Sequence, residues 1–139
     1  MLKNLIEIVK SFQSSVNIEY DFNDMNKISD FIPTSSALNI ITDIIKSTNI
    51  ENTQRARILI GAYGRGKSHI VLVVLSILYN QDRKIFRKFL ERVKTIDEES
   101  YKIINNYILS KKRLLPVIIN GNSGNLTQSF IRALQQTLR

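Results

Sequence analysis

The sequence predicts an α/β fold: a three-layer α/β/α arrangement around an incomplete parallel sheet, with a helix-rich N-terminal extension. Residues 57–60 and 114–119 carry this prediction because both are compact apolar runs of the kind found in buried strands. The third observation concerns residues 67–78, which form a helical pattern that is apolar on nearly every face. Such a helix must be buried on most sides, as it is between a sheet and other helices.

Charge divides the 139 residues into two segments, a helical N-terminal one over residues 1–53 and a second over residues 54–139. The first holds four Lys and Arg against seven Asp and Glu, whereas the second holds sixteen against five, within a net charge of +8. The basic second segment favours a polyanionic partner, either nucleotide or nucleic acid. A solubilising surface explains the same charge equally well.

Short elements are predicted in the first segment. Apolar residues at helical spacing predict an amphipathic helix over residues 2–12, and strict alternation predicts a short strand over residues 16–20. Asn23 or Asp24 is expected to cap a short helix that Pro33 ends. Thr34 or Ser35 then offers a cap for a longer helix.

In the second segment, residues 57–60 predict a strand and residues 67–78 the buried helix. Two amphipathic helices are expected over residues 81–96 and 98–109, followed by the strand of residues 114–119. A final helix is predicted from apolar residues that recur every fourth position. These are Leu126, Phe130, Leu134 and Leu138.

A phosphate-binding motif lies between the first predicted strand and the buried helix. Residues 61–68 match G-x-x-x-x-G-K-[ST] at every fixed position, which indicates a P-loop NTPase-like domain. Its glycines let the backbone curl so that N–H groups point at phosphate oxygens, and the following helix adds its N-terminal dipole. The predicted nucleotide-binding residues are Gly61, Ala62, Tyr63, Gly64, Arg65, Gly66, Lys67, Ser68 and His69.

The motif implies ATP and Mg²⁺ as cofactors. Lys67 is expected between the β- and γ-phosphates, and the Ser68 hydroxyl is the predicted Mg²⁺ ligand. His69 could sense phosphate, but a histidine packed against the core or lying on the helix surface is the simpler interpretation. ATP is preferred over GTP because the chain has no guanine-recognition signal of the N-K-x-D type.

No catalytic residue is predicted. ATP hydrolysis needs a second acid at the end of an apolar strand, and the strand of residues 114–119 is followed by Asn120 instead. Asp97 and the two residues after it start a helix, and Asp43 lies in a helix before the loop. We therefore expect ATPase activity only in a longer protein, of which this chain would be the N-terminal part.

Six basic residues lie along the amphipathic helix predicted over residues 81–96. Apolar residues form the opposite stripe of that helix. The basic residues are therefore explained either as the solvent-exposed face of an amphipathic helix or as a nucleic-acid contact. The six residues are Arg83, Lys84, Arg87, Lys88, Arg92 and Lys94.

Composition excludes several classes of protein. The longest apolar run has six residues, far below the roughly 18–20 that a transmembrane helix needs, so no membrane association is expected. The absence of cysteine excludes a disulfide framework and fits a cytoplasmic protein. A single histidine excludes a histidine-cluster metal centre.

The loop and its surroundings resemble a known family. Residues 57–69, with the pattern G-x-Y-G-x-G-K-S-H, are similar to the phosphate loop of the large AAA-like ATPases of BREX-type phage-defence systems. Residues 115–122, Leu126 and the pair Ala133-Leu134 resemble the segment that follows in that family. The resemblance covers about residues 28–139, although only the loop is specific. It implies antiviral defence beside DNA-modifying partners, and leaves open an oligomer of the full-length protein.

Two functions follow from these patterns. The first is ATP binding, as the N-terminal part of a larger P-loop ATPase in phage defence or another DNA-linked process. The alternative is a non-catalytic scaffold whose basic surface binds DNA or a protein. Mg²⁺-dependent nucleotide binding favours the first, whereas salt-sensitive DNA binding without nucleotide favours the second.

Overall fold

The computed structural model describes residues 15–22, 24–79, 82–119, 121 and 125–138, and the regular secondary structure within these residues is helical. The helix predicted over residues 2–12 lies outside the described residues. The helices are α1 (Ile18–Asp21), α2 (Met25–Ser29), α3 (Ser35–Ser47), α4 (Lys67–Tyr79), α5 (Arg87–Ile96), α6 (Glu98–Leu109) and α7 (Leu126–Thr137).

Side-chain caps start the helices of the first segment where the sequence predicts them. The Asp24 carboxylate accepts a hydrogen bond from the Asn26 N–H at 3.0 Å and starts α2. The Thr34 hydroxyl accepts one from the Ala37 N–H at 3.2 Å and starts α3, directly after Pro33. Both predicted helices are confirmed, although Asn23 lies outside the described residues.

The hydrophobic core is built from buried side chains of the helices α2 to α6. Phe86 and Phe89 are its largest fully buried side chains. Helix α4 is central because it contacts α1, α2, α3 and α6 and buries residues on several sides. The predicted buried helix is therefore confirmed, but it is covered by helices.

The predicted parallel sheet and three-layer fold are wrong, because the described residues contain no strand. Residues 57–60 are irregular and open to solvent, with Ile58 83% and Ile60 91% exposed. Residues 114–119 are also irregular, and the Leu114 N–H donates to the Leu78 carbonyl of α4 at 2.9 Å. A strand is stable only when neighbouring strands pair with it, and the described chain brings none beside either segment.

Two smaller predictions also need correction. Residues 16–20 are not a strand, since the Asn17 side chain accepts from the Glu19 N–H at 3.1 Å and starts α1 instead. Helix α5 begins at Arg87, later than predicted, because residues 83–86 form turns with i to i+3 hydrogen bonds. The predicted helices over residues 98–109 and 126–138 are confirmed as α6 and α7.

The core includes residues from both charge-defined segments, from Ile28 in α2 to Ile108 in α6. The boundary between residues 53 and 54 stays a prediction. None of the helices in the described ranges is long and apolar enough to cross a membrane.

Candidate functional site

The glycine-rich loop between residue 60 and α4 has the backbone conformation that its sequence requires. Gly64 and Gly66 have φ angles of 76° and 77°, in the left-handed region that other residues rarely adopt. A Cβ atom at either position would meet nothing within 4 Å. The need for glycine here is therefore a need for backbone conformation and not for space.

The side chain of Lys67, the first residue of α4, bonds back to the start of the loop. Its ammonium nitrogen donates to the carbonyl oxygens of Gly61 at 2.8 Å and Ala62 at 2.7 Å. An ammonium group has three protons, so these two bonds leave a third donor for an anion in the loop. The Gly61 Cα also lies close to this side chain, since a Cβ there would be 3.7 Å from Lys67 Cδ.

The start of α4 presents free backbone donors to the same place. The Gly66 carbonyl accepts the first hydrogen bond of the helix, from the Ile70 N–H at 3.0 Å. The N–H groups of Lys67, Ser68 and His69 precede that bond and have no acceptor within the helix. Together with the helix dipole they favour a bound anion.

The loop borders an open cavity of about 390 Å³, within the size range of ligand sites. Residues 63–69 line one side, and Ser15 and Val16 line the other. Arg65 and Lys67 are the charged side chains of this lining, and the lining that the structure describes has no carboxylate. The electrostatic character of the cavity is therefore positive.

Ser68 fits its predicted role as a Mg²⁺ ligand in one respect: it is exposed in the first turn of α4, beside the free N–H groups. Magnesium at nucleotide sites is held by one or two protein oxygens together with phosphate oxygens and water. The described residues contain no group of three His, Cys, Asp or Glu that could hold a metal ion. A Mg²⁺ ion at Ser68 would therefore bind together with the phosphates of the nucleotide.

The remaining loop residues differ in what they offer. Tyr63 is 99% exposed and Arg65 is also exposed, so neither side chain packs on the protein. The His69 ring instead packs on α2, where its Nε2 lies 2.6 Å from the Lys27 carbonyl oxygen. The ring also lies edge-on to the Phe31 ring, with 4.8 Å between the two ring centres. His69 lines the cavity, but its ring nitrogen already has a protein partner.

The acids outside the loop have structural partners. Asp97 caps α6, and a hydrogen bond from the Ser100 hydroxyl lowers the pKa of its carboxyl group. Asp43 accepts from the Arg57 guanidinium at 2.8 Å, and this bond lowers the Asp43 pKa. Neither residue lines the loop cavity.

The six basic residues near α5 separate into different environments. Arg92 is part of the fold because its guanidinium donates to the carbonyl oxygens of Ser29 at 2.8 Å and Phe31 at 2.9 Å, at the end of α2. Four others line a separate groove, whereas Lys88 does not. The four are Arg83, Lys84, Arg87 and Lys94.

Two lining residues of the loop cavity were not predicted from the sequence. Ser15 and Val16 come close to the loop only through the fold, and Val16 was assigned to a strand. No local pattern indicates such a long-range contact.

No family model matches this sequence, and comparison with curated proteins and with solved structures finds no significant match. The resemblance to phage-defence ATPases therefore depends on the loop residues and their surroundings alone.

Proposed function

We propose that this chain binds ATP together with Mg²⁺ at residues 61–68. One observation supports the proposal most: two left-handed glycines lead directly into the N-terminus of α4, where the Lys67 ammonium donates back to the carbonyls that begin the loop. The backbone conformation of Gly64 and Gly66 thus supports the site that the sequence motif predicts. A chance sequence match would not need glycine conformations at Gly64 and Gly66.

The chemistry of the loop suits a polyphosphate. The free N–H groups of α4 and the remaining Lys67 proton are donors, and the cavity lining described contains two cations and no carboxylate. The Ser68 hydroxyl adds an oxygen for a phosphate-bound Mg²⁺ ion. A nucleoside triphosphate uses all of these groups at once, whereas a single phosphate uses only some of them.

We further propose, from the resemblance of residues 57–69, that the chain acts in phage defence as part of a larger ATPase. Hydrolysis would then depend on residues beyond those described here, because no carboxylate is among the described residues that line the cavity and could align water. ATP bound to this chain alone should be hydrolysed no faster than ATP in solution. Phosphate release that Ser68→Ala abolishes would contradict that expectation.

The test is a titration of wild type and Lys67→Ala with fluorescent ATP and Mg²⁺. Loss of a charge-assisted phosphate contact costs about 1.5–3 kcal/mol, so affinity should fall roughly ten- to a hundred-fold. Lys88→Ala is the matched control, since Lys88 is an exposed lysine of α5 that lines neither the cavity nor the groove. It should bind ATP as wild type does.

Circular dichroism decides whether Lys67→Ala still folds. We expect it to fold, because the wild-type Lys67 ammonium donates to carbonyls of the loop. Equal ATP affinity in wild type and folded Lys67→Ala would overturn the proposal. Unlabelled ATP and GTP as competitors test the base preference, and ATP should displace the fluorescent ligand at the lower concentration.

A further inference from the structure

A second concave surface lies away from the glycine loop, between α5 and the start of α6. We call it the α5–α6 groove. Its volume is about 460 Å³, and it shares no lining residue with the loop cavity. Seven residues line it: Arg83, Lys84, Arg87, Leu90, Glu91, Lys94 and Tyr101.

The rim of the groove is strongly basic. Its four cations face a single carboxylate, that of Glu91, which accepts from the Arg87 guanidinium at 3.2 Å. Lys84 and Lys94 are exposed, and neither belongs to any of the salt bridges formed within the described residues. The groove therefore has a net positive charge that the protein itself does not neutralise.

The floor of the groove is apolar and contains an aromatic ring. Leu90 is buried in the core, and the Tyr101 ring packs against that core while it lines the groove. The Lys94 ammonium lies 5.6 Å from the centre of the Tyr101 ring. A cation and an aromatic face are thus adjacent at one end of the groove.

We propose that the α5–α6 groove binds single-stranded DNA, with the phosphates on its basic rim and a base against Tyr101. Sites for single strands combine a positive groove with aromatic side chains on which bases stack. A duplex keeps its bases stacked inside, so it has no free base to place against the Tyr101 ring and the apolar floor. An acidic peptide matches the rim but has no flat ring to place against the floor.

The part of the lining that the structure describes offers no unpaired carboxylate to a 2′-hydroxyl proton, so nothing in it selects RNA and the proposal commits to DNA. Recognition of RNA depends on hydrogen bonds to the 2′-hydroxyl. The lining is made mostly of aliphatic and aromatic carbon between cationic groups, and its one carboxylate is paired with Arg87.

The experiment measures fluorescence anisotropy of a labelled 20-nucleotide oligo-dT with the full chain at several salt concentrations. The double variant Lys84→Ala/Lys94→Ala should weaken binding at least tenfold at low salt. Its log–log salt slope should become shallower by about 1.4, since each lost phosphate contact on a single strand contributes about 0.7. Both side chains are exposed, so the fold should be kept.

The matched control is Lys88→Ala/Lys102→Ala, which removes the same charge from exposed positions of the same two helices outside the groove. It should leave affinity within about twofold of wild type. Equal weakening by the two double variants would show a dependence on net charge alone and would overturn the groove. Unchanged binding in Lys84→Ala/Lys94→Ala would overturn it as well.

Variants of Tyr101 distinguish the contribution of base stacking to binding from that of charge. Loss of base stacking should reduce affinity about fivefold or more in Tyr101→Leu, whereas Tyr101→Phe keeps the ring and should bind normally. Tighter binding of a duplex, of oligo-rU or of a poly-glutamate peptide than of oligo-dT would overturn the assignment to single-stranded DNA. If Mg²⁺-ATP displaces the oligonucleotide, or if Lys67→Ala no longer binds it, the strand binds at the glycine loop. Either result would overturn the assignment of DNA to the α5–α6 groove, and neither would affect the proposal of ATP binding.

Discussion

His69 Nε2 lies 2.6 Å from the backbone carbonyl oxygen of Lys27, a residue 42 positions earlier in the chain. A carbonyl oxygen only accepts hydrogen bonds, so Nε2 must carry a proton here. The contact joins the first turn of α4 to α2 immediately behind the glycine loop. We infer that His69 positions the start of α4 and does not itself contact phosphate.

If His69 has this role, a substitution there should lower the stability of the fold without changing ATP affinity. His69→Leu removes the hydrogen bond to the Lys27 carbonyl and should lower the free energy of unfolding by about 1–3 kcal/mol, since a buried acceptor loses its partner. Where the protein is folded, ATP affinity should stay within about threefold of wild type. Urea denaturation and nucleotide titration measure the two effects.

His69→Gln is the control for this variant because a glutamine amide can donate to the same carbonyl, and it should recover part of the lost stability. A His69→Leu protein with normal stability but a tenfold loss of ATP affinity would instead assign His69 to the phosphate site.

The two left-handed glycines give the second prediction. Gly64→Ala and Gly66→Ala should each weaken ATP binding, because a left-handed conformation costs an alanine roughly 1–2 kcal/mol and the loop would change shape to avoid it. No steric clash contributes, since the added methyl group has open space at both positions. The measurement is the same ATP titration.

Gly121→Ala is the matched control for the glycine variants. A Cβ there also meets nothing within 4 Å, but Gly121 does not have a positive φ angle. Its ATP affinity should equal that of wild type. Weaker binding in this control than in Gly64→Ala would contradict the conformational explanation.

The third prediction concerns acid. Asp21 Oδ2 accepts from the Lys27 ammonium at 2.5 Å and from the Asn17 N–H at 2.7 Å, with both side chains of the ion pair mostly buried. The bond from Lys27 holds the Asp21 pKa below its ordinary value. A carboxyl group whose pKa falls on folding stabilises the protein above the unfolded-chain value of about 3.9 and loses this effect as pH falls through the folded pKa.

Asp21→Asn should therefore lower the free energy of unfolding at pH 7 by about 1.5–3 kcal/mol. The gap to wild type should begin to narrow as the pH falls below about 3.9, where the carboxyl group takes up a proton in the unfolded chain, and should be lost once the pH passes the lower pKa of the folded protein. Urea denaturation across this pH range measures the gap. Glu91→Gln, which removes an exposed ion pair, should differ from wild type by less than about 1 kcal/mol at every pH. A gap for Asp21→Asn that stays constant with pH would contradict the assignment.

The helix starts and the glycine loop could be predicted from the sequence because the groups that form them are close together in the chain. Thr34 and Asp24 reach backbone donors two or three residues away, and Lys67 reaches carbonyls five and six residues away. Local spacing is enough to specify such contacts. The same is true of the amphipathic face that α6 presents to the core.

The sheet was predicted wrongly because a strand depends on partners distant in sequence. The apolar residues of 57–60 and 114–119 have the composition of strands, but composition does not say whether a neighbouring strand exists. The same limitation applies to Arg92, whose contacts with the end of α2 cross more than 60 residues. Its sequence context indicates only a basic helix face.

The final prediction concerns hydrogen exchange in these two irregular segments. Amide protons are protected when they are hydrogen-bonded within stable structure, and residues 57–60 and 115–119 belong to no helix or ladder. Their amides should exchange quickly, whereas those in the middle of α4 and α6 should exchange slowly. Leu114 should be an exception in its segment, since its N–H donates to the Leu78 carbonyl at 2.9 Å. Hydrogen exchange followed by NMR at single-residue resolution measures this contrast. Removing the Leu78 carbonyl contact by Leu78→Pro would not serve as a control, because a proline there would break α4 itself. Uniform strong protection from residue 115 to 119, together with protection of residues 57–60, would contradict the prediction and show that the two segments pair with a strand after all.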